Sequence, residues 1–181
     1  YRMNAQSGPV ETYFARAGIP YKIVGGHRFY DRKEIKDILA YMSIVANKSD
    51  DLRLRRIINE PARKIGAATV QAVADMAAAD GVAMLDVLMD MEQYPSLARA
   101  SSALGGFVRI YSALCQAHDT LPLDAFVNEL VTLTGYKAML ENAGEEGQTR
   151  LENIGQLVSS VKTYADQRGP EASLEGFLEE V

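Results

Sequence analysis

The sequence predicts a mainly α-helical protein, a helical bundle preceded by a short α/β fragment. Three observations predict this fold class. Apolar residues recur at helical spacing along most of residues 31–181. The strand signal is confined to residues 19–26, ahead of a glycine pair. The chain of 181 residues is 48% hydrophobic, which is enough to bury a core.

The N-terminal fragment combines a helix with a strand. Residues 4–18 predict a helix with Pro9 near its first turn and Gly18 at its end. Residues 19–26 then predict a strand. A lone helix and strand are typical of the edge of an α/β unit. Together with a final helix that has no stop signal before Val181, they predict a chain cut from a longer protein.

The rest of the chain predicts helices joined by short loops. They cover residues 31–47, 49–59, 67–80, 83–91, 95–120, 122–142, 147–169 and 173–181. Asp31 is the predicted N-cap of the first, with one apolar face formed by Ile35, Ile38, Leu39, Met42 and Val45 or Ala46. Gly81 and Gly135 predict helix stops, and the pair at residues 105–106 predicts a weak point in the long helix.

Charge is distributed unevenly along a chain whose net charge is −5. Residues 1–66 hold 13 Lys/Arg and 7 Asp/Glu, whereas residues 67–181 hold 6 Lys/Arg and 17 Asp/Glu. Such polarity favours either an anionic partner for the first third or an internal match between a basic and an acidic face. Charge alone favours the two interpretations equally.

Several classes of function are disfavoured by the composition. The single cysteine, Cys115, lies in an apolar helical stretch and fits a reducing compartment, and only two histidines are present, so no metal site is predicted. No signal peptide or membrane span is evident, which predicts a cytoplasmic location. No phosphate loop, GxGxxG, HExxH or GxSxG motif occurs. We therefore predict no catalytic residue in this chain.

One basic turn, "IINEPARKIGAAT" at residues 57–69, has the features of an anion site. The first amides of the following helix and its dipole favour a phosphate, a glycine permits close approach, and two cations add attraction. Such groups bind a duplex backbone without reading bases. The alternative is a plain interhelical turn with solvated cations. The predicted duplex-binding residues are Arg63, Lys64, Ile65, Gly66, Ala67 and Thr69.

The ordered motifs "RMNAQS", "GIPYKIVGGHRFYDRKEIKD", "RIINEPARKIGAAT" and "GYKAMLENAGEEGQTRLENI" resemble the UvrD/PcrA/Rep family of superfamily 1 DNA helicases. The resemblance implies that residues 1–27 form the edge of the second RecA-like lobe and residues 28–181 its helical 2B subdomain. ATP and magnesium would bind elsewhere in the parent protein, and none in this fragment. Arg2 and Asn4 match a single-strand contact of the family. Lys64 stands where the family's duplex-binding turn usually has glycine.

The resemblance leaves more than one role open. The first is a subdomain of an ATP-dependent 3′–5′ helicase that grips duplex DNA, with DNA as the partner. The alternative is a protein-interaction or autoinhibitory module of the same helicase, and a stand-alone helical scaffold is the third. We expect the fragment to be a monomer or a weak dimer, in which the unpaired strand edge either packs on the bundle or pairs with a second copy.

Overall fold

The computed structural model describes residues 29–181, within which Lys33–Val181 forms one compact helical unit. Its α-helices are α1 (Lys33–Ala46), α2 (Asp51–Ile57), α3 (Ala67–Asp80), α4 (Met84–Met89), α5 (Ser101–Thr120), α6 (Leu123–Leu133), α7 (Tyr136–Glu141), α8 (Gly144–Arg168) and α9 (Leu174–Glu179). Short 3-10 turns occupy Phe29–Asp31, Met91–Gln93, Pro95–Ala100 and Gly169–Glu171. No strand occurs in residues 29–181, so the mainly helical prediction is confirmed there.

The predicted helix and strand of residues 4–26 lie outside the described residues, so the α/β fragment and the boundary at residue 27 stay predictions. Within residues 29–181, every helix is too short or too polar to cross a membrane.

Helix α1 is the centre of the bundle, in contact with α2, α5, α6, α8 and α9. The buried surface of α1 is therefore wider than the single apolar face that the sequence predicts. Tyr41 and Ile44 are also fully buried, and the acidic residues Glu34 and Asp37 are only 5% and 1% exposed. A helix surrounded by neighbours buries most of its circumference, whereas an amphipathic pattern reports one contact only.

Helix ends follow the local signals in the sequence at most positions. Asp50 is the N-cap of α2, since its Oδ1 accepts the Arg53 N–H at 3.1 Å. Gly81 ends α3 and Gly135 separates α6 from α7, both with the positive φ that glycine tolerates. The start of α1 differs from the prediction, because Asp31 lies in a 3-10 turn and α1 begins at Lys33.

The long helix α5 runs without interruption through the glycine pair at residues 105–106, contrary to the predicted weak point. Leu104 and Phe107 beside the pair are fully buried, and such packing overrides the low helix propensity of glycine. Another glycine has a packing role. At Gly147 in α8, an ideal Cβ would overlap the carbonyl oxygen of Leu140 in α7, so only glycine lets these helices approach.

Candidate nucleic-acid interface

The turn between α2 and α3, residues 58–66, is closed by one side chain. Asn59 Oδ1 accepts the backbone N–H of Arg63 at 2.7 Å and that of Ile65 at 3.1 Å. Ile65 is 2% exposed and anchors the turn in the core. Because its amide is bonded to Asn59, Ile65 offers an incoming anion no free backbone donor.

The first turn of α3 presents free amide donors to solvent. Gly66 is its N-cap in an extended conformation, and no side chain caps the helix. The Thr69 N–H donates to the Gly66 carbonyl at 3.0 Å. Among residues 29–181 no acceptor pairs with the amides of Gly66, Ala67 and Ala68, and all three residues are exposed. These donors lie at the positive end of a 14-residue helix dipole, the geometry that favours a phosphate.

Lys64 is the cation of this turn that faces solvent. Its side chain is exposed, and no carboxylate among residues 29–181 pairs with its ammonium group. Its φ of +62° makes it the one non-glycine residue in the described part of the chain with positive φ. The backbone at this position therefore adopts the left-handed conformation that a glycine tolerates best.

Arg63 points the other way, into the protein. Its Nη2 donates to Tyr41 Oη and to the Thr134 carbonyl, each at 2.8 Å. Its Nη1 donates to the Pro61 carbonyl at 3.1 Å and the Ile57 carbonyl at 3.2 Å. The guanidinium also lies over the rings of Tyr41 and Phe107, at 5.9 and 5.7 Å from their centroids. The phosphate contact predicted for Arg63 stays a prediction. In the structure, the N–H groups of Arg63 donate to acceptors within the protein.

The hydroxyl of Tyr41 joins α1 to the turn. It donates to the Glu60 carbonyl at 2.6 Å and accepts from Arg63. Burial raises the pKa of Tyr41 to about 12, and the nearby guanidinium of Arg63 opposes part of this rise. The phenol therefore remains protonated and a hydrogen-bond donor at neutral pH.

Sequence analysis missed a second cation that contacts α3. Arg55 in α2 is exposed, and its Nη1 lies 3.4 Å from Oε1 of Gln71 in α3. Gln71 is two residues beyond Thr69, so the guanidinium lies beside the second turn of α3. The basic run "RLRR" at residues 53–56 was the available signal. Periodicity alone did not tell which of its members faces α3.

Sequence analysis also missed a cluster of charged groups around one buried carboxylate. The carboxylate of Asp37, 1% exposed, accepts from Arg56 Nε at 2.7 Å and from Tyr136 Oη at 2.7 Å. Lys33 Nζ lies 3.0 Å from Asp37 Oδ2 and 2.8 Å from Glu60 Oε1. Burial opposes the charge of Lys33, but the hydrogen bonds to these two carboxylates raise its pKa. The cluster joins α1, α2, α7 and the turn.

The other residues singled out in the sequence add nothing to this interface among the described residues. Arg2 and Asn4, the predicted single-strand contacts, lie outside the described residues and stay predictions. Cys115 is half-buried in α5, and burial raises the pKa of its thiol, which disfavours a nucleophilic role. Among residues 29–181 no group of three or more His, Cys, Asp or Glu side chains is placed to hold a metal ion.

Comparison with known proteins identifies the family. Residues 1–181, the whole chain, match the UvrD-like helicase C-terminal domain. The chain belongs to this family. It is 38% identical over 179 residues to the ATP-dependent DNA helicase PcrA of Bacillus subtilis, which covers 98% of the chain and 24% of that relative. It is 37% identical over 180 residues to PcrA of Staphylococcus aureus (strain Mu50), with 98% and 25% covered.

These relatives are much longer than the chain, which spans about a quarter of the length of the curated relatives it matches. By name, both relatives are ATP-dependent DNA helicases. The matched segment is a UvrD-like C-terminal domain, and the residues of the turn described above lie within it.

Proposed function

We propose that this chain is the part of an ATP-dependent 3′–5′ DNA helicase that grips the backbone of duplex DNA. The observation that carries the proposal is the convergence of Lys64 with the free amides of Gly66, Ala67 and Ala68 at the N-terminus of α3. The names of the PcrA relatives support DNA as the partner.

The chemistry of this site fits a phosphate of the backbone. Amide donors at a helix N-terminus bind a phosphate oxygen through charge-assisted hydrogen bonds, and the ammonium of Lys64 adds attraction. The hydroxyl of Thr69 is one more donor in the first turn of α3. None of these groups discriminates base edges, so the proposed binding is independent of sequence. We assign the direct contacts to Lys64, Gly66, Ala67, Ala68 and Thr69, in a turn held in shape by Ile65 and Arg63.

The proposal also assigns the other parts of the chain to the architecture of the whole helicase. We propose that residues 28–181 correspond to the 2B subdomain and residues 1–27 to the edge of the second RecA-like lobe. Arg2 and Asn4 would contact the single strand. ATP and magnesium would bind to other parts of the whole protein, so this chain alone would neither hydrolyse ATP nor unwind DNA.

The test is a binding titration of the purified chain against labelled duplexes of unrelated sequence, between about 50 and 200 mM salt. We expect equal affinity for each duplex and an affinity that falls linearly with log salt. A chain that binds no duplex even at the lowest salt would contradict the proposal. In that case the protein-interaction or autoinhibitory role would be the better description, testable by whether deleting residues 33–181 accelerates unwinding by the whole protein.

Gly66→Ala examines the site itself. An alanine Cβ at Gly66 would meet no protein atom within 4 Å, and its φ of −76° suits any residue. We expect the variant to fold normally and to bind duplex DNA more weakly, because the methyl group obstructs the approaching phosphate. The matched control is Gly155→Ala in α8, where a Cβ also meets nothing within 4 Å. Equal affinity of both variants would exclude close approach at Gly66.

A further inference from the structure

The two adjacent cations of the turn have opposite orientations. Arg63 is half-buried beneath the turn, whereas Lys64 is exposed on its surface. The positive φ of Lys64 separates them, and Ile65 returns to the core. Any direct attraction to a ligand from this pair therefore comes from Lys64.

The acceptors of Arg63 include carbonyls at the ends of two helices. Ile57 is the last residue of α2, and Thr134 is the C-cap of α6. Carbonyls at helix C-termini lack intrahelical donors and lie at the negative end of the dipole. The guanidinium thus bonds the C-terminal ends of both α2 and α6. Arg63 and Thr134 are 71 residues apart in the sequence. These bonds and the two aromatic rings occupy the planar fork that would otherwise hold a phosphate in bidentate fashion.

We infer that Arg63 is a positioning residue: it fixes the turn against α1 and α6 so that the amides of Gly66, Ala67 and Ala68 are held ready for the phosphate. This inference rests on the proposed duplex binding. It differs from the assignment that the family resemblance implies, in which Arg63 itself contacts DNA. Asn59 serves the same purpose from within the turn, through its bonds to the amides of Arg63 and Ile65.

Three variants of the full chain separate positioning from contact, each titrated with duplex DNA over a range of salt. Arg63→Ala is expected to reduce affinity about tenfold and to leave the salt slope unchanged. Arg63→Lys is expected to reduce it to a similar extent, because a single ammonium cannot reach acceptors on both helices. Tyr41→Phe removes an acceptor of the guanidinium that is buried away from solvent, and is expected to weaken binding in the same way.

The opposite results would show that Arg63 is a direct contact. These are a slope shallower by about 0.9 in Arg63→Ala, affinity retained in Arg63→Lys, and no effect of Tyr41→Phe. Lys64→Ala provides the slope change expected of a true contact. Arg63→Lys and Tyr41→Phe keep the test decisive where Arg63→Ala does not fold.

Amide hydrogen exchange distinguishes failure of this inference from failure of the proposed function. Arg63→Lys is expected to accelerate exchange at Ile65 about tenfold without any DNA present, since the turn loses its anchor. Lys162→Ala, which removes an exposed cation from α8, is the control and is expected to leave that exchange unchanged. Unchanged exchange in Arg63→Lys would overturn the positioning role. If exchange at Ile65 is accelerated in Arg63→Lys but the wild-type chain binds no duplex, only the proposed function is overturned.

Discussion

Replacing Lys64 with glycine should make the protein more stable and at the same time weaken its binding to duplex DNA. At φ +62° the Cβ of an L-residue is crowded against the backbone, which costs roughly 1 kcal/mol, and glycine avoids this cost. We therefore expect the free energy of unfolding to rise by about 1 kcal/mol and the melting temperature by about 3 °C. Urea denaturation and thermal unfolding measure both quantities.

The binding effect has a separate cause, the loss of the ammonium group. If Lys64 neutralises one phosphate, removing it makes the slope of log affinity against log salt shallower by about 0.9. Lys64→Ala is the matched variant, because it removes the same charge but keeps a Cβ in the left-handed conformation. We expect both variants to show the shallower slope and only Lys64→Gly to show the gain in stability.

Two results would refute this reasoning. If Lys64→Gly were no more stable than Lys64→Ala, the backbone at this position would not be strained in solution. If both variants kept the wild-type salt slope, Lys64 would not contact a phosphate. Lys64→Arg keeps the charge and the Cβ, and is expected to resemble the wild type in both measurements.

Three further predictions concern the framework that holds the turn. Gly147→Ala should lower the free energy of unfolding by about 2 kcal/mol, because its Cβ overlaps a carbonyl oxygen of α7. Gly155→Ala in the same helix should instead raise the free energy of unfolding by up to about 1 kcal/mol. Equal urea midpoints of the two variants would contradict this prediction. Asp37→Asn should lower the free energy of unfolding by about 2 kcal/mol, since the buried phenol of Tyr136 and the partly exposed guanidinium of Arg56 lose a charged acceptor. A loss below about 1 kcal/mol would show that the cluster contributes little. Because the pKa of Tyr41 is raised to about 12 when folded, ionisation favours the unfolded state, so stability should fall between about pH 10 and 12; Tyr41→Phe should show a smaller fall over that range.

Local signals predicted the helices because their causes are local. The N-cap Asp50 and the left-handed Gly81 act on neighbouring backbone groups, so a sequence shows them directly. The buried carboxylate of Asp37 is different, because its partner Tyr136 lies 99 residues away. Its position within α1 suggests a solvated charge until the partner helix is known. Burial of a charge is decided by distant elements, which periodicity does not report.

The site was predicted in part, for the same reason. Helix-end physics identified the amides of Gly66 and Ala67, which need only the start of α3. The roles of Arg63 and Lys64 were not separable, since two adjacent cations look alike in a sequence. Their separation depends on the φ of Lys64 and on an acceptor from α6, and neither is visible without the fold.

The uneven charge of the chain left two interpretations open, an anionic partner or an internal match, and the structure shows that internal contacts account for part of the basic charge. Several cations of the basic third are matched within the protein, those of Lys33, Lys48, Arg53 and Arg56 by carboxylates and that of Arg63 by helix carbonyls. Among the described residues, no ion pair joins a carboxylate to Arg55 or Lys64. Lys64 lies just before the start of α3, and Arg55 lies beside its second turn. A simple count of basic residues therefore overstates the charge available to an anionic partner. The internal pairs hold the turn in place, and Lys64 stays exposed beside its free amides.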